Sequence, residues 1–210
     1  MNPKEIVAQG YDRIAARYTA WASTVRQAER VRYTSLLLEE LPERAQVLEL
    51  GCGAGVPTTR QLADRFSVTG VDISSAQIAL ARQNVPTAQF IVADMCQLKF
   101  PPGSFDGVAA FYSIIHVPRE EQANLLTAIA TWLRPNGLLV ATLGVNAVEG
   151  DVDKNWLGWG VPMYWSHLGD KMARDLIENA GLQIVRADLE TAEEDGAPVT
   201  FLWVVARKPV

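Results

Sequence analysis

Val47-Leu48-Glu49-Leu50-Gly51-Cys52-Gly53-Ala54-Gly55-Val56-Pro57-Thr58-Thr59-Arg60 decides the fold of this 210-residue chain. A short apolar run, a turn with glycine at three alternate positions and a proline-led helical start form a strand–turn–helix unit. Glycines let the backbone turn sharply and approach a ligand with no Cβ in between. The helix that follows directs its free N–H groups and the positive end of its dipole toward the same point. The unit is suited to a nucleotide-like or carboxylate-bearing small molecule. A triphosphate loop needs Gly-Lys-Ser/Thr after the turn, whereas Val56 and Pro57 follow Gly55. A dinucleotide fingerprint needs a third glycine where Val56 stands.

Working outward, apolar runs alternate with helical patterns. Strands are expected at 47–50, 67–71, 89–92, 105–111 and 138–143, with helices at 57–65, 74–84 and 119–133 between them. Arg134-Pro135-Asn136-Gly137 has turn chemistry. A helix over 168–180 stops at Gly181, and two last strands, 183–188 and 199–206, follow. The polar segment 190–198 joins them without a helix, so they pair as an antiparallel hairpin. The fold class is α/β, a doubly wound, mostly parallel seven-stranded sheet with a terminal antiparallel hairpin. Two helices precede it. In 3–19, Ile6, Tyr11, Ile14, Ala15 and Tyr18 share a face, and in 25–41, Val31, Leu37, Leu38 and Leu41 point inward before Pro42.

The first strand's E-x-G-x-G-x-G, with Val71-Asp72 ending the next strand, resembles motif I of the class I S-adenosylmethionine-dependent methyltransferases. The resemblance is to the small-molecule group, similar to quinone and secondary-metabolite enzymes, and runs in motif order over about residues 10–143. It implies a Rossmann-like methyltransferase fold with S-adenosyl-L-methionine as cofactor and S-adenosyl-L-homocysteine as product. Ligands of open α/β sheets bind at strand carboxyl ends. Gly51, Cys52 and Gly53 follow strand one, beyond Glu49. Asp72 can accept both ribose hydroxyls or cap a helix. By resemblance, Asp94 accepts from the adenine amino group, Met95 and Ile73 cover the ring faces, Gln77 adds a nucleoside contact, and the segment from Phe111 binds the methionine end. Asp94 can equally serve a turn. The pattern around Tyr11 and Tyr18 is like the N-terminal segment that folds over the cofactor in that group, and both tyrosines can instead pack the helix on the core.

His116 follows strand four and is the candidate general base, titrating near neutrality, or else it positions the loop before Pro118. Segment 144–170 looks like a long connection carrying Trp156, Trp159, Tyr164, Trp165 and His167. With Tyr11 these are candidate acceptor-binding residues of an aromatic lid. A satellite hydrophobic cluster or an interface would use the same residues, and His167 can cap the next helix. The expected organisation is one domain: an N-terminal helical lid (1–44), cofactor core (45–143), aromatic loop (144–170), and terminal helix and hairpin (171–210).

Two cysteines, two histidines and a net charge of −5 exclude a zinc pattern and a broad electrostatic footprint for nucleic acid or anionic membrane. No apolar run is long enough to span a bilayer and no secretory signal is seen, so a cytoplasmic monomer or homodimer is expected. The expected activity is methyl transfer to an O, N or C nucleophile of a small hydrophobic or aromatic acceptor. The competing readings are a non-catalytic cofactor-binding regulatory module and an NAD-type oxidoreductase.

Overall fold

The structure is a computed structural model that describes residues 2–194 and 196–210; Met1 of the expected N-terminal segment and Asp195 of the expected 190–198 connection lie outside the described residues. Strands β1 (Gln46–Leu50), β2 (Ser67–Asp72), β3 (Gln89–Val92), β4 (Phe105–Ala110) and β5 (Leu133–Gly144) are parallel. With the antiparallel pair β8 (Gln183–Glu194) and β9 (Ala197–Arg207) they form one sheet in the order β3-β2-β1-β4-β5-β9-β8. The order reverses between β1 and β4, and that reversal opens the crevice where open α/β sheets hold ligands.

Alternate strand residues show why both faces are covered. Leu48, Val108, Leu139 and Val204 join one core with α5 (Arg119–Trp132) and α6 (Asp170–Asn179). Val47, Ala109, Val140 and Trp203 join another with α2 (Gln27–Glu40) and α3 (Thr58–Ala63). Period-two alternation with both faces apolar is the signature of a sheet packed between helix layers. In α2 the inward stripe is Tyr33, Leu37 and Leu41, while Val31 is 46% exposed. The inward assignment of Val31 is therefore corrected, since Tyr33 takes that side and stacks on Trp203 at 4.2 Å between ring centroids.

Three further boundaries differ from expectation. Segment 144–170 is not an open loop: β6 (Ala147–Asp153) pairs antiparallel with β7 (Met163–Leu168) as a separate two-stranded hairpin. Leu168 ends β7, and Gly169 at φ 83° breaks the chain before α6. The polar 190–198 segment mostly extends the last two strands, which stay paired out to Glu194 and Ala197. Alternating polar residues suit a solvated sheet extension as well as they suit a loop. Asn136 takes the left-handed conformation at φ 67°, but within β5, where the expected 134–137 turn is an irregularity in the pairing with β4.

α1 (Pro3–Ala22) starts with Asn2 and Glu5 capping each other's backbone N–H groups. It does not pack on the sheet. Its Ile6, Val7 and Ile14 cluster with Trp156, Val161, Met163 and Tyr164 of the β6–β7 segment. α1 is thus held across the strand ends by the hairpin on one side and by α4 (Ser75–Asn84) on the other.

Candidate active site

The turn after β1 has the geometry that its glycines foretell. Gly51 sits at φ 74°, and a Cβ there would lie 2.2 Å from the Ser113 Cβ, so the β1 and β4 loops meet only because residue 51 has no side chain. Ser113 Oγ donates to the Leu50 carbonyl at 2.7 Å and fixes that approach. Gly53, at φ 53°, donates its N–H to Asp72 Oδ2 at 2.8 Å. Ser74 N–H donates to Asp72 Oδ1 at 2.9 Å. The Asp72 carboxylate is thereby held by backbone from two loops and keeps lone pairs free on both oxygens. Burial beneath α1 raises its pKa to about 6 against these backbone hydrogen bonds, which act to lower it.

Under α1 lies a cavity with about 1000 Å³ of empty space, part of it open to solvent. Of the residues singled out from sequence, Glu49, Gly51, Cys52, Gly53 and Asp72 line it, as do Ile73, Gln77, Asp94, Met95 and Phe111. Tyr11, Tyr18 and His116 line it too. Asp94 Oδ1 accepts from Cys96 N–H at 2.9 Å, and Oδ2 accepts from Lys4 Nζ at 2.7 Å. Gln77 is buried with both amide atoms unpartnered. Such atoms cost free energy unless a ligand or water satisfies them, so they mark a surface built to receive a polar molecule. Glu49 accepts from the Thr59 hydroxyl and is pushed up to about 8 by burial, with that hydrogen bond opposing the rise.

Sequence reasoning missed Arg30 and Lys4, and reached Tyr112 only as part of the segment that starts at Phe111. Arg30 lines the cavity with its buried Nε unpartnered, and its guanidinium lies 4.4 Å from the Tyr112 ring centroid. The Tyr112 hydroxyl is likewise buried and unpartnered. The signal was present in α2: continuing the Tyr33–Leu37–Leu41 stripe back by one turn reaches Arg30 and Glu29, and a charge on an inward stripe needs a partner.

His116 does not titrate near neutrality. Burial lowers its pKa to about 4, although the hydrogen bond with the Tyr164 carbonyl works to raise it. Nδ1 lies 2.7 Å from the Tyr164 carbonyl oxygen and must donate to it. Nε2 is then the acceptor of the neutral ring and takes the Tyr11 hydroxyl at 3.0 Å. Tyr11 is raised well above the ordinary phenol value by burial, so it stays protonated and donates.

The aromatic hairpin stands elsewhere than expected. Trp156, Trp159, Tyr164 and Trp165 are absent from the cavity wall and form the satellite cluster behind α1. The Trp156 ring lies 5.6 Å from Tyr11 and 5.7 Å from Tyr18. Trp165 lies 4.5 Å from the His116 ring. Trp159 carries the Arg17 guanidinium at 4.3 Å. Acceptor lining is therefore corrected for these four: they support the helix and the histidine that do line the cavity. His167 is corrected as well. It belongs to β7, packs against Gly144 and faces a small separate pocket with Ser166 and Gln122, so it neither lines the main cavity nor caps α6. Among the described residues no group of three or more His, Cys, Asp or Glu is placed to hold a metal ion, and no helix is long and apolar enough to cross a membrane.

Residues 47–137 match a family model described as a methyltransferase domain. The chain is 32% identical over 168 residues to a 2-methyl-6-phytyl-1,4-hydroquinone methyltransferase of Synechocystis sp., covering 74% of this chain and 51% of that protein. It is 31% identical over 158 residues to a trans-aconitate 2-methyltransferase of Delftia acidovorans, covering 71% of this chain and 58% of that protein. The chain spans only a little over half the length of these curated relatives. Its fold is like that of the N-methyltransferase NodS of Bradyrhizobium japonicum WM9 in complex with S-adenosyl-L-homocysteine. That match has a TM-score of 0.73 at 20% identity, over 97% of this chain and 98% of that one.

Proposed function

We propose that this chain, whose residues 47–137 match a family model described as a methyltransferase domain, catalyses methyl transfer from S-adenosyl-L-methionine to an oxygen, nitrogen or carbon nucleophile of a small, largely apolar acceptor. The observation that carries the reading is the joint placement of Asp72 and Asp94 at two successive strand ends beside the glycine turn, in one cavity roofed by α1. The spare lone pairs of Asp72 suit a pair of ribose hydroxyls. Asp94 suits an adenine amino group, with Ile73 and Met95 as apolar faces. The unpartnered Gln77 amide supplies both a donor and an acceptor to the nucleoside. Glu49, the Gly51–Gly53 turn and Phe111 remain for an amino-acid end, and Arg30 with Tyr112 supplies a cation and a hydroxyl for its carboxylate.

When bound, the cofactor supplies a methyl activated on a cationic sulfur. The protein's part is then to orient the acceptor, exclude water and take up any proton the nucleophile loses. The aromatic cluster seats α1 over the cavity and so keeps water out. Because both His116 nitrogens are engaged, a proton leaving an acceptor hydroxyl reaches Nε2 through the Tyr11 oxygen, which releases its own proton to His116 as it accepts another. Tyr11 is thus the group that touches the acceptor, and His116, whose neutral form burial favours, holds the proton behind it only in passing. A net charge of −5 and a cavity roofed by α1 favour a small cytoplasmic acceptor over nucleic acid or a membrane, handled by a monomer or homodimer.

Calorimetric titration with S-adenosylhomocysteine, with NAD as control, tests the reading. Saturable binding of the first alone is expected. Binding of NAD alone, or of neither, overturns it.

A further inference from the structure

Lys4 lies in the first turn of α1, far in sequence from the motifs that name the site. Its ammonium is mostly shielded, with the side chain 17% exposed, and it spans two elements. Nζ lies 2.7 Å from Asp94 Oδ2, at the end of β3, and 2.5 Å from Glu121 Oε2, in the first turn of α5. Burial acts to lower its pKa, and the hydrogen bonds to Asp94 and Glu121 more than offset that, leaving the group cationic. Lys4 also lines the cavity, next to Ala93, Asp94 and Met95. Asp94 Oδ1 accepts from the Cys96 N–H and Oδ2 from Lys4, so each oxygen keeps one lone pair for a further donor, and a donor at Oδ2 shares that oxygen with the ammonium.

The rest of α1 is fastened at the neighbouring strand end. Asp12 Oδ1 accepts from Ala76 N–H at 2.9 Å and from Ser74 Oγ at 2.7 Å, capping α4 from outside just after Asp72. Gly10 lets the helix approach the hairpin, since a Cβ there would lie 2.8 Å from the Pro162 carbonyl oxygen. α1 is therefore tied to both strand ends that carry an acidic group, and only the Lys4 tie uses the acidic group itself.

We propose that Lys4 is a positioning residue of the cofactor site: it shares the Asp94 carboxylate with the adenine amino group, so that α1 closes over the cofactor and releases it in one coupled event. The inference rests on the proposed seating of adenine at Asp94. A carboxylate oxygen accepts two hydrogen bonds, so the amino group and the ammonium can occupy Oδ2 together. The ammonium holds Asp94 in place for the base, and the filled carboxylate holds the helix. Glu121 keeps the ammonium at the cavity mouth when the base is absent. Product cannot leave under a closed α1, so this tie sets how long S-adenosylhomocysteine stays bound.

The test follows dissociation of S-adenosylhomocysteine by stopped-flow fluorescence, reading the tryptophans around α1, together with hydrogen exchange of the 3–22 amides in the bound state. Lys4→Met is expected to speed dissociation by about tenfold, the loss of one shielded charge-assisted contact, and to remove ligand-induced protection of α1. Lys4→Arg is expected to restore much of both. Lys4→Met leaves Asp94 and Glu121 facing each other without a cation, so Lys4→Met/Glu121→Gln separates that repulsion from loss of the tie. Fast release must persist in the double variant. Unchanged dissociation and protection in Lys4→Met, or normal dissociation in the double variant, overturns the proposal. Failure of the unsubstituted protein to bind S-adenosylhomocysteine overturns the underlying seating instead, and this proposal with it.

Discussion

Glu49→Gln should make the unliganded protein less sensitive to alkali, and the structure supplies the size of the effect. Glu49 is 4% exposed and its pKa is raised from 4.5 to about 8. Burial causes the rise, while the Thr59 hydroxyl and the Arg30 charge work to lower it. A group whose folded pKa is raised binds its proton more tightly in the folded state. Its contribution is therefore fully present below pH 4.5, falls as pH rises through 8, and is level above that. The shift amounts to roughly 5 kcal/mol at about 1.4 kcal/mol per unit. An effective interior dielectric well above that of dry protein trims this to about 2–4 kcal/mol. Glutamine matches the shape, keeps an oxygen for the Thr59 hydroxyl and never ionises. The two proteins should thus have similar stability near pH 5, with the variant gaining by that amount at pH 9. Urea unfolding followed by tryptophan fluorescence at pH 5, 7 and 9 gives the difference directly. Asp72, whose pKa is also raised by burial, to about 6, acts in both proteins and largely cancels. Parallel profiles with a constant offset would refute the reasoning, for they would mean that Glu49 is ionised throughout and that water or Arg30 compensates its charge.

Three further outcomes follow from the same geometry. Asp72→Ala should weaken S-adenosylhomocysteine binding by about 1–3 kcal/mol in calorimetry, through loss of charge-assisted hydrogen bonds; undiminished affinity would remove Asp72 from the ribose site. Tyr11→Phe should lower turnover about a hundredfold for a hydroxyl acceptor while leaving cofactor affinity near normal, since it deletes the hydroxyl that faces His116 Nε2. A normal rate would leave orientation and water exclusion as the whole catalytic contribution. Trp156→Ala should speed hydrogen exchange in α1 far more than in β1 or β4, because that ring packs on Tyr11, Tyr18 and Trp21 and lies outside both sheet cores. Uniform loss of protection would mean that α1 and the sheet unfold as one unit.

The part of the cavity proposed for the cofactor was legible because its residues are local to strand ends. The Gly51–Gly53 turn, Asp72 and Asp94 each sit within a few residues of a strand end, and strand ends of an α/β sheet converge. Short apolar runs such as Val47–Leu50 located the ends, and topology did the rest. Lys4 was not legible in that way, because α1 crosses the strand ends at an angle no local pattern encodes; Arg30 showed only as a charge on the inward stripe of α2, which does not say that it reaches the cavity. Segment 144–170 was misjudged for a different reason. Its aromatic content called for burial against something, but composition does not name the neighbour. The alternation of Met163, Trp165 and His167 on one side of β7 is a strand signal, and Gly158 and Gly160 just before it break the pattern. Once paired as a hairpin, the segment has one apolar side to bury, and the sheet faces are already covered by α2, α3, α5 and α6. The free apolar surface is that of α1, with Ile6, Val7 and Ile14. Helix and hairpin therefore bury each other, and the tryptophans reach the chemistry only through what they press against. Trp165 steadies the His116 ring from behind, and the Tyr164 carbonyl sets its tautomer, which leaves Nε2 to Tyr11. Tyr11 and Tyr18 themselves line the cavity, so changes in Trp156 or Trp159 reach it by moving α1.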